Sequence, residues 1–156
     1  MRLIDEVQAH GGAHQLGGEM LLTHTFDDPL HGLSLPRYRA VLERSVFTLA
    51  PEGVHADTYR ASEALAAASI PIVACDSSFQ GLWGEEHPVP CVNDWTWRDL
   101  QAVFAAAEQE GHAAMRRRVL VWWHGYLRNL SETVAKVVLS REVPPRGEEG
   151  DDEVEW

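Results

Sequence analysis

Between Tyr38 and Asp76 the chain reads YRAVLERSVFTLAPEGVHADTYRASEALAAASIPIVACD. The order of its runs constrains the fold more than any other stretch. Residues 45–50 (SVFTLA) form a short, mostly apolar run of the kind a buried strand shows. Pro51, Gly53 and Asp57 then punctuate a loop. From Thr58 the pattern turns helical: Asp57 can cap, and residues 59–68 are rich in alanine with Leu65 at helix spacing. Residues 70–74 (IPIVA) make a second buried-type strand, with Asp76, Ser77 and Ser78 at its carboxyl end. Strand, loop, helix, strand is the order of a parallel crossover unit, and residues 45–50 and 70–74 are expected to be parallel neighbours joined by the helix from 58 to 68. A strand that feeds a loop and a helix N-terminus offers an anion site, because free backbone N–H groups and the helix dipole point the same way.

The rest of the chain is less even. Residues 36–44 read as a helix with Tyr38, Val41 and Leu42 on one face. Residues 78–90 read as a loop containing Trp83, followed by a short strand at 89–92. Asn93 or Asp94 can cap a helix from about 96 to 109, with Trp97, Leu100, Val103 and Phe104 inward and Gly111 as its stop. Residues 112–141 read as one long or once-broken helix carrying Met115, Val119, Trp122, Trp123 and Tyr126.

Several of these residues recur together in a known pattern. Tyr38, Leu42, Ser45, Phe47, Leu49, Pro51, Gly53, Thr58, Tyr59, Arg60, Glu63 and Ile70-Pro71 stand in the register of the C-terminal half of exostosin-like glycosyltransferases. Within that family the chain most resembles the ribitol xylosyltransferase type. The likeness extends more loosely through Val92-Asn93-Asp94-Trp95 and the helix at 115–123 to about Arg128. One departure is that the family carries a glycine just before Ile-Pro, where this chain has Ala68-Ser69.

The resemblance implies an α/β fold, a Rossmann-like parallel sheet flanked by helices, equivalent to the C-terminal lobe of a GT-B glycosyltransferase. It implies a nucleoside diphosphate sugar as donor, a uridine one (UDP-sugar), and no cofactor. The residues it points to for donor binding are Gly53, Asp57, Thr58, Tyr59, Arg60 and Glu63. Arg60 and Glu63 lie three apart and share a helix face. A carboxylate there can accept both ribose hydroxyls, as acidic residues do in dinucleotide folds. Arg60 can grip a diphosphate bidentately, and the Thr58 hydroxyl with the N–H groups of Thr58 and Tyr59 completes a cradle. A leaving diphosphate held in this way is stabilised without a metal, and no Asp-x-Asp triplet is present to bridge one. The catalytic base and the glycan acceptor site would lie in an N-terminal lobe or a partner chain.

Plainer readings stand beside these. An Arg/Glu pair three apart is commonly a surface ion pair. His10, His14, His24 and His31 could gather a metal, although histidines in a glycine-rich segment are commonly solvated. Arg116-Arg117-Arg118 could meet an anionic glycan, or form a solvated face over the Trp122-Trp123 core. Trp95 and Trp97 are core residues first and sugar platforms second.

Composition sets the outer limits. A chain of 156 residues that is 45% hydrophobic can bury a core as one domain. No run reaches the ~18 apolar residues of a membrane helix, and the start lacks a basic-then-apolar leader pattern. Cys75 and Cys91 neither demand nor exclude a disulfide, and Cys75 at the end of an apolar run reads most simply as a buried thiol. The net charge of −11 is concentrated at the end, where residues 142–156 hold seven acidic side chains against Arg146. The expected organisation is an irregular segment over 1–36, a nucleotide-sugar-binding α/β domain over 37–141, and a disordered acidic tail over 142–156. The folded part is then only mildly acidic, which argues against nucleic acid as partner. As an enzyme the chain would be a fragment, one part of a complex, or a reduced domain, with a Golgi address if it belongs to a longer family-type precursor. The alternatives are a non-catalytic binding or interaction module that retains the fold, and an unrelated α/β protein binding another phosphate compound.

Overall fold

The computed structural model describes residues 33–52, 59–75, 79–84 and 86–140. The chain divides into two compact units, Met1–Trp123 and His124–Trp156.

In the first unit a ten-residue helix, α1 (Leu35–Arg44), starts with Pro36 in its first turn, where a missing N–H is harmless. It stops at Ser45, whose backbone turns extended and whose N–H still donates to the carbonyls of Val41 and Leu42. Strand β1 (Phe47–Leu49) follows, then helix α2 (Tyr59–Ala66) and strand β2 (Ile70–Ala74). The two strands are parallel, with Phe47 opposite Ile70 and Leu49 opposite Ile72, as the order of apolar runs predicts. A five-residue helix, α3 (Phe79–Trp83), leads to strand β3 (Cys91–Val92), which pairs parallel to β2 with Val73 opposite Cys91. The result is an α/β unit with a three-stranded parallel sheet in the order β1-β2-β3. Every residue of β2 is buried, as expected of a central parallel strand. Ile72, Val92 and Leu100 form the centre of the core, with Phe47, Leu49, Trp95, Val103 and Phe104 packed against them.

Helix α4 (Trp97–Glu110) packs on β3. Its cap is Thr96 rather than Asn93 or Asp94: the Thr96 hydroxyl accepts from the Asp99 N–H at 3.2 Å. Thr96 holds the extended backbone an N-cap needs, while the Asp94 N–H donates to the Asp99 carboxylate. Gly111 ends the helix with a φ of 88°, a conformation that favours glycine. Helix α5 (His112–Ser140) is unbroken and buries Met115, Val119 and Trp123.

Three further expectations are corrected. Residues 79–83 are helical rather than loop, because Trp83 is buried and meets His87, Trp122 and Trp123 edge-on. The strand expected at 89–92 is confined to Cys91–Val92. Cys75 is not a free thiol: it forms a disulfide with Cys91, with Cα atoms 4.9 Å apart. The reason is the register, since Cys75 continues β2 one residue past Ala74 and its N–H donates to the Val92 carbonyl, next to Cys91.

In the second unit the described residues are those of α5 from His124 to Ser140. Leu127, Leu130, Val134 and Val137 recur at three- and four-residue spacing and all are exposed. Among the described residues of the chain, no helix is long and apolar enough to cross a membrane. The expectations for residues 1–32 and 141–156, including the four histidines and the acidic tail, lie outside the described residues.

Candidate functional site at the start of helix α2

The sequence YRASEALA divides cleanly on a helix of 3.6 residues per turn. Ala61, Ala64 and Leu65 are buried, and α2 packs on β2. Tyr59, Arg60 and Glu63 are exposed on the other side, Tyr59 to 89%. Small inward residues let the helix pack close on the sheet, and the polar residues stand in its first turns on the side away from β2.

The end of α2 is as specific as its start. The Ser69 N–H donates to the Ala64 carbonyl at 2.8 Å and the Ala68 N–H to Leu65 at 3.1 Å. These are the two bonds of a Schellman cap, in which the residue at C′ is left-handed and usually glycine. Here it is Ala68, with a φ of 61°. The neighbouring Ser69 is buried, and its hydroxyl is satisfied by Thr48 of β1 at 2.7 Å. The stretch where the family carries glycine thus holds a left-handed alanine and a serine tied across the sheet.

The structure brings Arg60 and Glu63 together around a third residue. Tyr38 of α1 donates its phenol to Oε2 of Glu63 at 2.7 Å. The Tyr38 phenol is pushed up to about 12, first by burial and then by the hydrogen bond and negative charge of Glu63, while Arg60 beside it pulls the other way. Tyr38 therefore stays a protonated donor throughout the physiological range. The sequence puts Tyr38 on one face of α1 with Val41 and Leu42 and gives it no part in the site. Its signal was membership of the same spaced pattern as Arg60 and Glu63. Gly53, Asp57 and Thr58 lie outside the described residues, as do Asp76, Ser77 and Ser78.

The arginine cluster on α5 has structural tasks. Arg116 is half-buried and donates to the Ser45 carbonyl at 2.8 Å, clasping the junction of α1 and β1. Arg118 forms a two-pronged pair with Glu110, at 2.9 and 2.8 Å, and also donates to the Pro88 carbonyl at 3.2 Å. Its guanidinium holds the Glu110 carboxyl below the usual value. Arg117 and Arg118 are both exposed, as the expectation of a solvated face has it, and Arg116 is not. Trp95 packs against the core, as expected. Among the described residues no three His, Cys, Asp or Glu side chains gather.

What the arrangement can do follows from its parts. A carboxylate held by a phenol accepts further hydrogen bonds, and a guanidinium one turn away attracts an anion. Comparison with curated proteins gives no match, and comparison with solved structures gives none. The model of one family does match, over residues 30–142, a span that contains α1 to α5 and every described site residue. That family is the one described as the RXYLT1 C-terminal domain, a glycosyltransferase-related domain of exostosin-like type, and the chain belongs to it.

Proposed function

We propose that this chain is the donor-binding lobe of a glycosyltransferase of GT-B organisation and takes a uridine diphosphate sugar at the start of α2. The observation that carries the reading is the cluster of Tyr38, Arg60 and Glu63 on α1 and the first turn of α2, the helix that follows β1 in the chain. Ligands of open α/β sheets bind outside the carboxyl ends of the strands. Glu63 accepts the ribose hydroxyls, and Arg60 faces the diphosphate. Gly53, Asp57, Thr58 and Tyr59 complete the cradle through backbone N–H groups and the Thr58 hydroxyl. The leaving diphosphate is stabilised by Arg60 and fixed dipoles rather than by a metal. The Cys75–Cys91 bond supports an oxidising compartment for the folded chain.

Transfer also requires a base within hydrogen-bond reach of the acceptor hydroxyl. Tyr38 remains protonated, Arg60 is a cation, and Glu63 is engaged by Tyr38 through one oxygen and, in this reading, by the ribose through the other. In this reading the glycan acceptor and its base come from a second lobe or another chain, so this chain alone binds donor and transfers no sugar.

Calorimetric titration with uridine and with uridine diphosphate tests the assignment. Arg60→Ala should weaken the diphosphate more than the nucleoside, and Glu63→Ala should weaken both through the ribose. Unchanged affinities in both variants would remove the donor site from α2. Labelled sugar appearing on an acceptor with this chain alone would overturn the division of labour.

A further inference from the structure

Tyr38 and Glu63 are 25 residues apart, and their hydrogen bond joins a side chain of α1 to one of α2, with Arg60 of α2 beside the same phenol. The helix that carries Tyr38 is fastened at both ends. The Tyr38 N–H donates to the Ser34 carbonyl in the first turn, and the last turn is closed by the Ser45 N–H and by the Ser45 hydroxyl, which donates to Val41 at 2.7 Å. Arg116 then holds the Ser45 carbonyl from α5, and Leu42 is buried beneath. The phenol therefore sits on a rigid post, whereas Glu63 is an exposed, three-torsion side chain on the solvent face of α2.

A hydrogen bond at such an exposed place adds little to folding, since a surface contact between long side chains is screened and entropically opposed. Its effect falls on the carboxylate. One oxygen, Oε2, is taken by the phenol, so the last torsion is biased towards the orientation that presents the other oxygen away from Tyr38. A ligand that needs that oxygen then meets it already ordered, and the ordering is not charged against binding. The donor never reverses its role, because a phenol that stays protonated next to a carboxylate can only donate in this pair.

We propose that Tyr38 is a positioning residue for ribose recognition, its hydroxyl locking Glu63 so that the free carboxylate oxygen faces the 2′- and 3′-hydroxyls of the nucleotide. This rests on the reading of Glu63 as the ribose ligand. It assigns a specificity: the lock matters only for a nucleotide that has hydroxyls to offer, and a nucleotide without them gains nothing from Tyr38.

The test uses the full chain and two probes, uridine diphosphate and its 2′,3′-dideoxy analogue, titrated against wild type, Tyr38→Phe, Glu63→Gln and the double variant. Tyr38→Phe removes one oxygen and keeps the ring. It should lower affinity for uridine diphosphate by about three- to tenfold, in line with the loss of one ordered hydrogen bond. It should leave the dideoxy analogue within about twofold and the melting temperature unchanged. In the Glu63→Gln background the same substitution should lose most of its effect, because the two residues act as one unit. If Tyr38→Phe weakens both nucleotides alike, or lowers the melting temperature in proportion, the residue is a structural tie and the inference is overturned. If Glu63→Gln weakens uridine diphosphate while Tyr38→Phe does not, the inference fails and the ribose reading stands. Failure of wild type to bind uridine diphosphate overturns both.

Discussion

The crossing from β1 to β2 and the crossing from β2 to β3 both join parallel neighbours, yet one is closed by burial and the other by a covalent bond. The first passes through the eight-residue α2, which sinks Ala61, Ala64 and Leu65 against the sheet. The second passes through α3, only five residues long; both helices are shorter than one that sustains itself without tertiary help. What secures the second crossing is the Cys75–Cys91 disulfide, which closes a segment of sequence separation 16, together with the seat of Trp83 among Trp122, Trp123 and His87. The difference teaches where function can be placed. A helix anchored by small inward residues leaves its outer face free to carry Arg60 and Glu63. A crossing that depends on a staple and a packed aromatic cluster has its side chains committed to holding itself.

Removing the apolar anchor of the first crossing is the strongest way to break this contrast. Leu65 is 1% exposed, so Leu65→Ala should destabilise by about 2–5 kcal/mol, the range for large-to-small changes in a packed core. Denaturant unfolding measures it. A loss under about 1 kcal/mol would mean that α2 is held by something other than burial. For the second crossing the matching test is Cys75→Ser with Cys91→Ser. A disulfide that closes a loop of about 15 residues constrains the unfolded chain by about 3 kcal/mol. The double variant should unfold earlier by that amount and should keep its affinity for uridine diphosphate. Loss of that affinity would show that the two crossings are not separable.

The same contrast explains what could be read from the sequence. β1, α2 and β2 were legible because apolar runs and helix periodicity are local, and because the strand-loop-helix-strand order permits few topologies. Arg60 and Glu63 were legible as a pair because three residues is less than one helical turn. The hidden features depend on contacts between distant residues. Phe79–Trp83 carries Gly81 in its middle and reads as loop; it is helical because Trp83 finds Trp122 and Trp123 on α5. The disulfide follows from the β2–β3 register, which two lone cysteines do not announce. The Tyr38 bond to Glu63 spans 25 residues, and no periodicity connects them.

The first crossing contains a flaw that can be repaired. Ala68 holds a φ of 61° at the C′ position of α2, a conformation that costs an L-residue with a Cβ about 1–2 kcal/mol. Ala68→Gly removes that strain and adds about 0.4–1 kcal/mol of unfolded-state entropy against it. The net should be a gain of about 0.5–1 kcal/mol, read as a higher denaturant midpoint at constant slope. A destabilised Ala68→Gly variant would show that the cap is not left-handed in solution.

The smallest effect belongs to the second crossing and appears only as a slope against pH. His87 packs edge-on against Trp83, at 5.5 Å between ring centres, and lies 6.1 Å from Trp122. Burial there holds its imidazole below the ordinary histidine value, partly offset by a backbone hydrogen bond at Val89. The folded chain therefore resists a proton that the unfolded chain accepts near pH 6.5. Stability from this group is fully present above pH 6.5, declines as the pH falls through 6.5 towards the lowered folded value, and levels off below it. His87→Phe keeps a ring against the tryptophans and cannot titrate. Melting curves from pH 8 to pH 5 should show wild type losing ground to His87→Phe only below about pH 6.5. A difference that is constant across the range would mean that the imidazole gains its proton as easily in the folded chain as in the unfolded one, and that the aromatic seat of the second crossing is open to water.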